Sequence, residues 1–318
     1  MISKTHENTP ECVSRCLELS LLLEVSAYPK PGNVHRTVDF EGTRYEHFLA
    51  SAVALTPHFR RAAKQGVLVK KEKIGLNQIE VGKIIKETVV DVASWQHGGN
   101  TVLGSIILLA PIAVAAGMTL AESEFSTHRL RKNLKSVAQS TTPKDAVNLY
   151  EAIETAHPGG LGKAPRLDVT QAASKKKLIQ DNVSLYQVFQ ISAPWDSISS
   201  EWVNNYHITF DIGYPFFTQQ LTQTKDINMA TVHTFLKILS EVPDTLISRK
   251  AGTAKAREIS NQAKKALEEG GLANSKSKEN LFKFDVQLRS SKHRLNPGTT
   301  ADITSAVLAL AILNGYRP

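Results

Sequence analysis

Four loops of this chain pair side chains able to handle phosphate with glycine or proline next to them. In Pro29-Lys30-Pro31-Gly32-Asn33-Val34-His35 two prolines stiffen the backbone, and Gly32 allows a positive φ or a close backbone approach. A stiff loop would hold Lys30 ready for a phosphate at little ordering cost. The same residues also read as a plain helix breaker with its lysine in water. In His97-Gly98-Gly99-Asn100-Thr101, two glycines precede the most apolar stretch of the chain. Free amides and a positive dipole end at such a helix start suit a phosphate or a carboxylate, although a C-cap followed by an N-cap looks the same.

The third loop, Asp244-Thr245-Leu246-Ile247-Ser248-Arg249-Lys250-Ala251-Gly252, follows a predicted helix and offers one carboxylate and two cations. Asp244 could hold a metal while Arg249 and Lys250 clamp phosphates, or the group could be a surface salt bridge. The fourth, Leu295-Asn296-Pro297-Gly298-Thr299-Thr300-Ala301-Asp302, puts Pro-Gly before a helix, with Thr299 and Asp302 spaced as a capping box. None matches a P-loop or a dinucleotide fingerprint. Their recurrence, each beside an apolar helix, is what suggests a shared anion site.

The elements that must position these loops read as helices. Thr9-Pro10 looks like an N-cap and first helical residue of a helix to about Ala27, stopped by Pro29 and Pro31. A second helix starts near Tyr45, with Pro57 bending or closing it. Asn77 and Glu80 read as a capping box for a third, ended at Gly98-Gly99. An apolar helix follows Thr101, then helices at Thr127 to Gln139 and from Thr142-Pro143 through Ile153. His157 to Ala173 is the best candidate for a long functional loop. Aromatic residues between Val183 and Thr222 suggest short helices packed on the core. Further helices are expected at Met229 to Ser240, Ala254 to Glu269, Leu281 to Ser291 and Ala301 to Asn314, with Gly270 to Asn280 as a surface loop. No repeat or Gly/Ser linker divides the chain, so residues 1–318 are expected to form one all-α domain around a central buried apolar helix.

An apolar fraction of 42% with 21% charged residues excludes a disordered chain, and a net charge of +8 favours anionic partners. No basic block is long enough for a nucleic-acid arm; Lys175-Lys176-Lys177 reads as a solvated face. Cys12 and Cys16, one helical turn apart, read as two buried thiols. No further metal-ligand spacing accompanies them. Gly98 to Ala121 is uncharged over a membrane-spanning length, but Pro111 and its glycine-rich front point to a core helix. Met1 to Glu7 has no signal-peptide run, so a cytoplasmic location without membrane contact is expected. Self-association into a homo-oligomer stays open.

The four loops, in this order, resemble the triphosphoribosyl-dephospho-CoA synthase family. Glu24 with Pro29-Lys30-Pro31-Gly32 is similar to its Glu...Pro-Lys-Pro-Gly signature, and Phe48-Leu49-Ala50-Ser51-Ala52 to its Phe-x-x-Ser-Ala helix. Gly99-Asn100-Thr101 resembles the family's Gly-Val-Asn-Thr-His-Lys-Gly loop, Asp244-Thr245 and Arg249 its Asp-Thr...Arg segment, and Pro297-Gly298 with Ala301-Asp302 its Pro-Gly-x-x-Ala-Asp ending. The resemblance implies attack of the 2'-hydroxyl of dephospho-CoA on the ribose anomeric carbon of ATP, with loss of adenine. It also implies roles. Glu24 and Asp302 would be catalytic, with Glu24 as base. Lys30, Gly32, Asn100, Thr101, Arg249, Lys250, Asn296 and Gly298 would bind the nucleotide, and Asp244 and Asp302 would hold Mg²⁺.

The departures bear on substrate choice. Where the family carries His-Lys after Asn-Thr, this chain has Val102 and Leu103, and after Pro-Lys-Pro-Gly its Val-Asp becomes Val34-His35. Such a pattern looks like the archaeal-type branch. It keeps open another phosphorylated acceptor, such as a pterin-type coenzyme precursor, or a helical nucleotide-binding protein without catalysis.

Overall fold

In a computed structural model, which describes residues 9–122, 124–162, 164–290 and 293–318, the chain is all-α as expected. The Met1 to Glu7 start and the expected helix end at Ser291 lie outside the described residues. Helix α1 (Thr9–Ser26) leads through the Pro29 loop to α2 (Tyr45–Lys70), which runs on through Pro57. Next come α3 (Val81–Trp95), α4 (Leu103–Glu122), α5 (Thr127–Gln139) and α6 (Pro143–Ala156). Short helices α7 (Ala172–Gln180), α8 (Leu185–Ser192) and α9 (Ser197–Val203) precede a π-helical turn at Ile208–Gly213 and α10 (Tyr214–Thr224). The chain ends with α11 (Ile227–Glu241), α12 (Thr245–Ala251), α13 (Thr253–Glu268), α14 (Ser275–Arg289) and α15 (Gly298–Leu313). Among the described residues there are two isolated bridges, His35 with Val38 and Phe40 with Thr43, and no strand.

Helix α4 is the centre of the fold because it is apolar on every side, and only burial in other helices satisfies such a surface. It is the one described helix long and apolar enough to cross a membrane, but 83% of that stretch is buried in the protein. It packs on α2, α5, α15 and α1. At the α2–α4 crossing a Cβ on Gly66 would lie 2.0 Å from the Val114 carbonyl oxygen, and one on Gly117 would lie 2.1 Å from that of Ala63. Two glycines thus let these backbones touch. Helix α15 is polar in its first turns and apolar beyond them, with Ile303 and Ala306–Leu313 in the same core. A second apolar cluster, including Phe235, Leu236, Ile247, Ile259, Leu281 and Leu288, joins α11 to α14. It carries the α12 and α14 residues that face the loops of interest.

Several local expectations differ from the structure. The Asn77–Glu80 capping box does not form: Leu76–Gln78 is a 3₁₀ turn and Glu80 sits at φ 56° just before α3. Helix α14 begins at Ser275, capped by Asn274, inside the expected surface loop. Helix α12 occupies the segment expected to be a loop after Asp244. The box at Thr142 does form, and its Asp145 also accepts the Gly82 N–H at 2.8 Å, tying α6 to α3. Cys16 is buried, whereas Cys12 is only half-buried, one fewer buried thiol than expected.

Candidate active site

The ends of α1, α4, α12 and α15 meet at a cavity of about 600 Å³, closed on the far side by α6, α8, α9 and the loop after His157. Glu24, Lys30, Asn100, Thr101, Arg249, Lys250, Asn296, Gly298 and Asp302 all line it. Residues up to 278 positions apart in sequence (24 to 302) thus share one space. Gly32 and Asp244 do not line it.

Glu24, in the last turn of α1, and Lys30, in the loop, are both buried and form an ion pair. The Lys30 ammonium also donates to the Glu24 carbonyl at 3.0 Å. Lys30 was expected to wait free for a phosphate; instead its charge is met by Glu24. Burial pushes the Glu24 carboxyl up, against the pull of Lys30, and pushes the Lys30 ammonium down, against the pull of Glu24. Glu24 is therefore not a free base.

Gly32 braces this loop from outside the cavity. Its φ is +73°, its N–H donates to Asp285 Oδ1 at 2.8 Å, and a Cβ there would sit 2.9 Å from the Leu288 Cβ. Asp285 on α14 also faces His35 Nε2 at 3.4 Å, and Arg289 donates to the Asn33 carbonyl. Asp285 and Arg289, about 250 residues from the loop, carry no motif of their own in the sequence.

Asp302 occupies the opposite wall. The expected box with Thr299 does not form, because the Asp302 Oδ1 accepts the Ser105 N–H at 2.8 Å and the Ser105 hydroxyl at 2.6 Å. It thereby caps α4 from another helix. Gly104 makes room, since a Cβ at that position would lie 2.1 Å from Asp302 Oδ2. Burial, reinforced by the Glu24 and Asp244 charges and opposed by Ser105, pushes the Asp302 carboxyl up to about 7. Ser105, in the first turn of α4, carries no motif of its own in the sequence. Asn100 accepts the Leu103 N–H at 3.1 Å, and the Thr101 hydroxyl meets that of Ser51 at 2.7 Å, so both are held by α4 and α2.

Asp244 corrects the expected metal pair. It is 1% exposed; Oδ1 caps α12 through the Leu246 and Ile247 N–H groups, and Oδ2 accepts from the Thr300 N–H and hydroxyl, both at 2.8 Å. Its four acceptor positions are used in capping α12 and joining it to α15. Among the described residues no group of three His, Cys, Asp or Glu could hold a metal ion. The α12 cations remain well placed. Arg249 pairs with Asp196 at 2.7 Å, and Lys250 donates to Asn296 at 3.1 Å. Burial pushes the Lys250 ammonium down. The long loop after His157 does reach the site, bringing the exposed Arg166 to the rim.

Apolar side chains of α6, α8 and α9, among them Leu149, Ile153, Phe189 and Ile198, face these polar groups across the cavity. A base or other flat ring fits the apolar wall, while cations at the rim and a proton-accepting carboxylate at depth suit a sugar triphosphate.

A sequence model of the family described as ATP:dephospho-CoA triphosphoribosyl transferase matches residues 10–318. The 2-(5''-triphosphoribosyl)-3'-dephosphocoenzyme-A synthase of Klebsiella pneumoniae is 22% identical over 309 residues, covering 95% of this chain and 90% of its own. The enzyme of the same name from Escherichia fergusonii is 22% identical over 307 residues, covering 94% and 90%. The crystal structure of an Archaeoglobus fulgidus protein assigned as a triphosphoribosyl-dephospho-CoA synthase superposes with a TM-score of 0.62 at 21% identity. It covers 85% of this chain and all of that one, and shows the same fold.

Proposed function

We propose that this chain, which belongs to the ATP:dephospho-CoA triphosphoribosyl transferase family, moves the 5-triphosphoribosyl group of ATP to the 2'-hydroxyl of 3'-dephospho-CoA and releases adenine. The observation that carries the mechanism is Asp302, a carboxyl pushed up to about 7 on the wall of the cavity, with one oxygen held by Ser105. A base poised near the working pH is the most effective acceptor of a hydroxyl proton. The acceptor oxygen bonds to C1' as the C1'–N9 bond breaks, and Asp302 takes the hydroxyl proton. Adenine leaves with the C1'–N9 electron pair and needs a proton. The Lys30–Glu24 pair, whose ammonium is made more acidic by burial, supplies it. Asp302 then loses its proton to solvent and the pair regains one from solvent, which closes the proton balance. Asp302 replaces Glu24 as the base because Glu24 is taken by Lys30.

Arg249 and Lys250, with Asn296 and the α15 N-terminus at Gly298, hold the triphosphate, and Asn100 and Thr101 meet the ribose. The described residues do not fit a protein-held Mg²⁺ pair, since Asp244 has no free acceptor position and Asp302 is assigned to proton transfer. The test is adenine release, followed by chromatography, from ATP, Mg²⁺ and dephospho-CoA. Free adenine with dephospho-CoA is expected. Adenine only with a different acceptor, such as a pterin-type precursor, would replace the substrate, and none with any acceptor would remove the activity.

A further inference from the structure

The Gly99–Leu103 loop has a cavity on each side. Beyond the one already described, a second chamber of about 310 Å³ opens between α3, the start of α4 and the end of α6. Residues 99–103 and His157 line both, so the loop is a shared partition with the two spaces adjoining along it. On the chamber side the walls are mostly apolar: Val89 and Val92 from α3, Val102, Leu103 and Ile106 from α4. Polar groups are few, and they differ in availability. The Gln96 amide is spent on Gly98 and Gly99, while His97 makes no hydrogen bond among the described residues and the Asn100 side chain is engaged through its oxygen.

A cavity of about 600 Å³ is of the size that encloses one ligand of several rings or phosphates, whereas the proposed reaction joins two nucleotides. The acceptor hydroxyl must reach Asp302, which is bonded to Ser105 in the first turn of α4. Asn100 to Leu103, just before Ser105 in sequence, line both that cavity and the second chamber. Resting on the proposed reaction, we infer that this chamber is the binding site for the pantetheine arm of the acceptor. An alkyl chain interrupted by amides matches apolar walls with an isolated imidazole and an Asn amide. Val102 and Leu103 make the partition itself apolar and suited to the passage of that arm.

Ala93 and Thr155 are exposed residues on the chamber's rim, outside the groups assigned to chemistry or phosphate binding. Ala93→Trp and Thr155→Trp should fill the chamber without disturbing the core. In steady-state adenine release, each is expected to raise KM for dephospho-CoA at least tenfold. KM for ATP should stay within twofold, and so should KM for ADP offered as an acceptor without the arm. An unchanged KM for dephospho-CoA, or an equal rise for ADP, would overturn the inference. If the wild-type protein releases no adenine with dephospho-CoA, the proposed reaction has failed by itself. Calorimetric titration with pantetheine then decides the chamber: binding weakened tenfold by both tryptophans supports it, and binding that is absent or unaltered refutes it.

Discussion

Replacing Asp302 by Asn separates the cost of a buried charge from its use. The Asp302 carboxyl ordinarily ionises near 3.8 and is pushed up to about 7 in the folded protein. The folded state therefore holds this proton more tightly than the unfolded chain. Its contribution to stability is full below the unfolded value and is lost as pH rises through about 7. Between about pH 5 and pH 8 the loss is about two pK units, at most ~3 kcal/mol, and solvent reaching the carboxylate through the cavity should reduce it to ~1.5 kcal/mol. Asn cannot ionise but keeps an oxygen for the Ser105 N–H and hydroxyl. Asp302→Asn should therefore gain ~1.5 kcal/mol on the parent between those pH values, while adenine release falls by a factor of ~100 or more. Urea unfolding of both proteins at both pH values gives this double difference, in which groups that titrate alike in the two proteins cancel. The parent's kcat/KM should rise through about pH 7 and level off. A double difference near zero, or a variant retaining activity within a few-fold, would refute the assignment of Asp302 as a buried base.

Gly104→Ala would put a methyl 2.1 Å from Asp302 Oδ2; it should cost ~1–3 kcal/mol in urea unfolding and reduce adenine release, whereas full activity would contradict that contact. Asp244→Ala removes two hydrogen bonds that cap α12 and two that join it to α15. A loss of ~2–4 kcal/mol is expected, with the Mg²⁺ dependence of any remaining activity unaltered; a shifted Mg²⁺ requirement would restore Asp244 as a ligand. Glu24→Gln and Lys30→Met should each cost ~3–5 kcal/mol by stranding a buried partner, and the double variant should cost less than their sum. Additive losses in that cycle would show that the pair is not coupled.

Much of this protein is legible in its residues taken in order. Periodicity and punctuation predict the helices around α4 and α15, because an all-round apolar helix has nowhere to go but a core. The four glycine- or proline-marked loops identify the segments that meet at the cavity, since backbone freedom and phosphate-handling side chains leave local marks. Which polar atom serves which purpose is settled only by distant partners. Asp244 and Asp302 look alike in sequence, each a carboxylate beside a helix start. In three dimensions Thr300 completes the bonding of Asp244, while Ser105 and the missing Cβ of Gly104 hold Asp302 at the cavity wall. Lys30, conspicuous in its loop, turns out to be neutralised by Glu24, and the loop is braced by Asp285 from about 250 residues away. A carboxylate's role depends on who satisfies its lone pairs and how much water reaches it, and neither is encoded within a few residues of its own position.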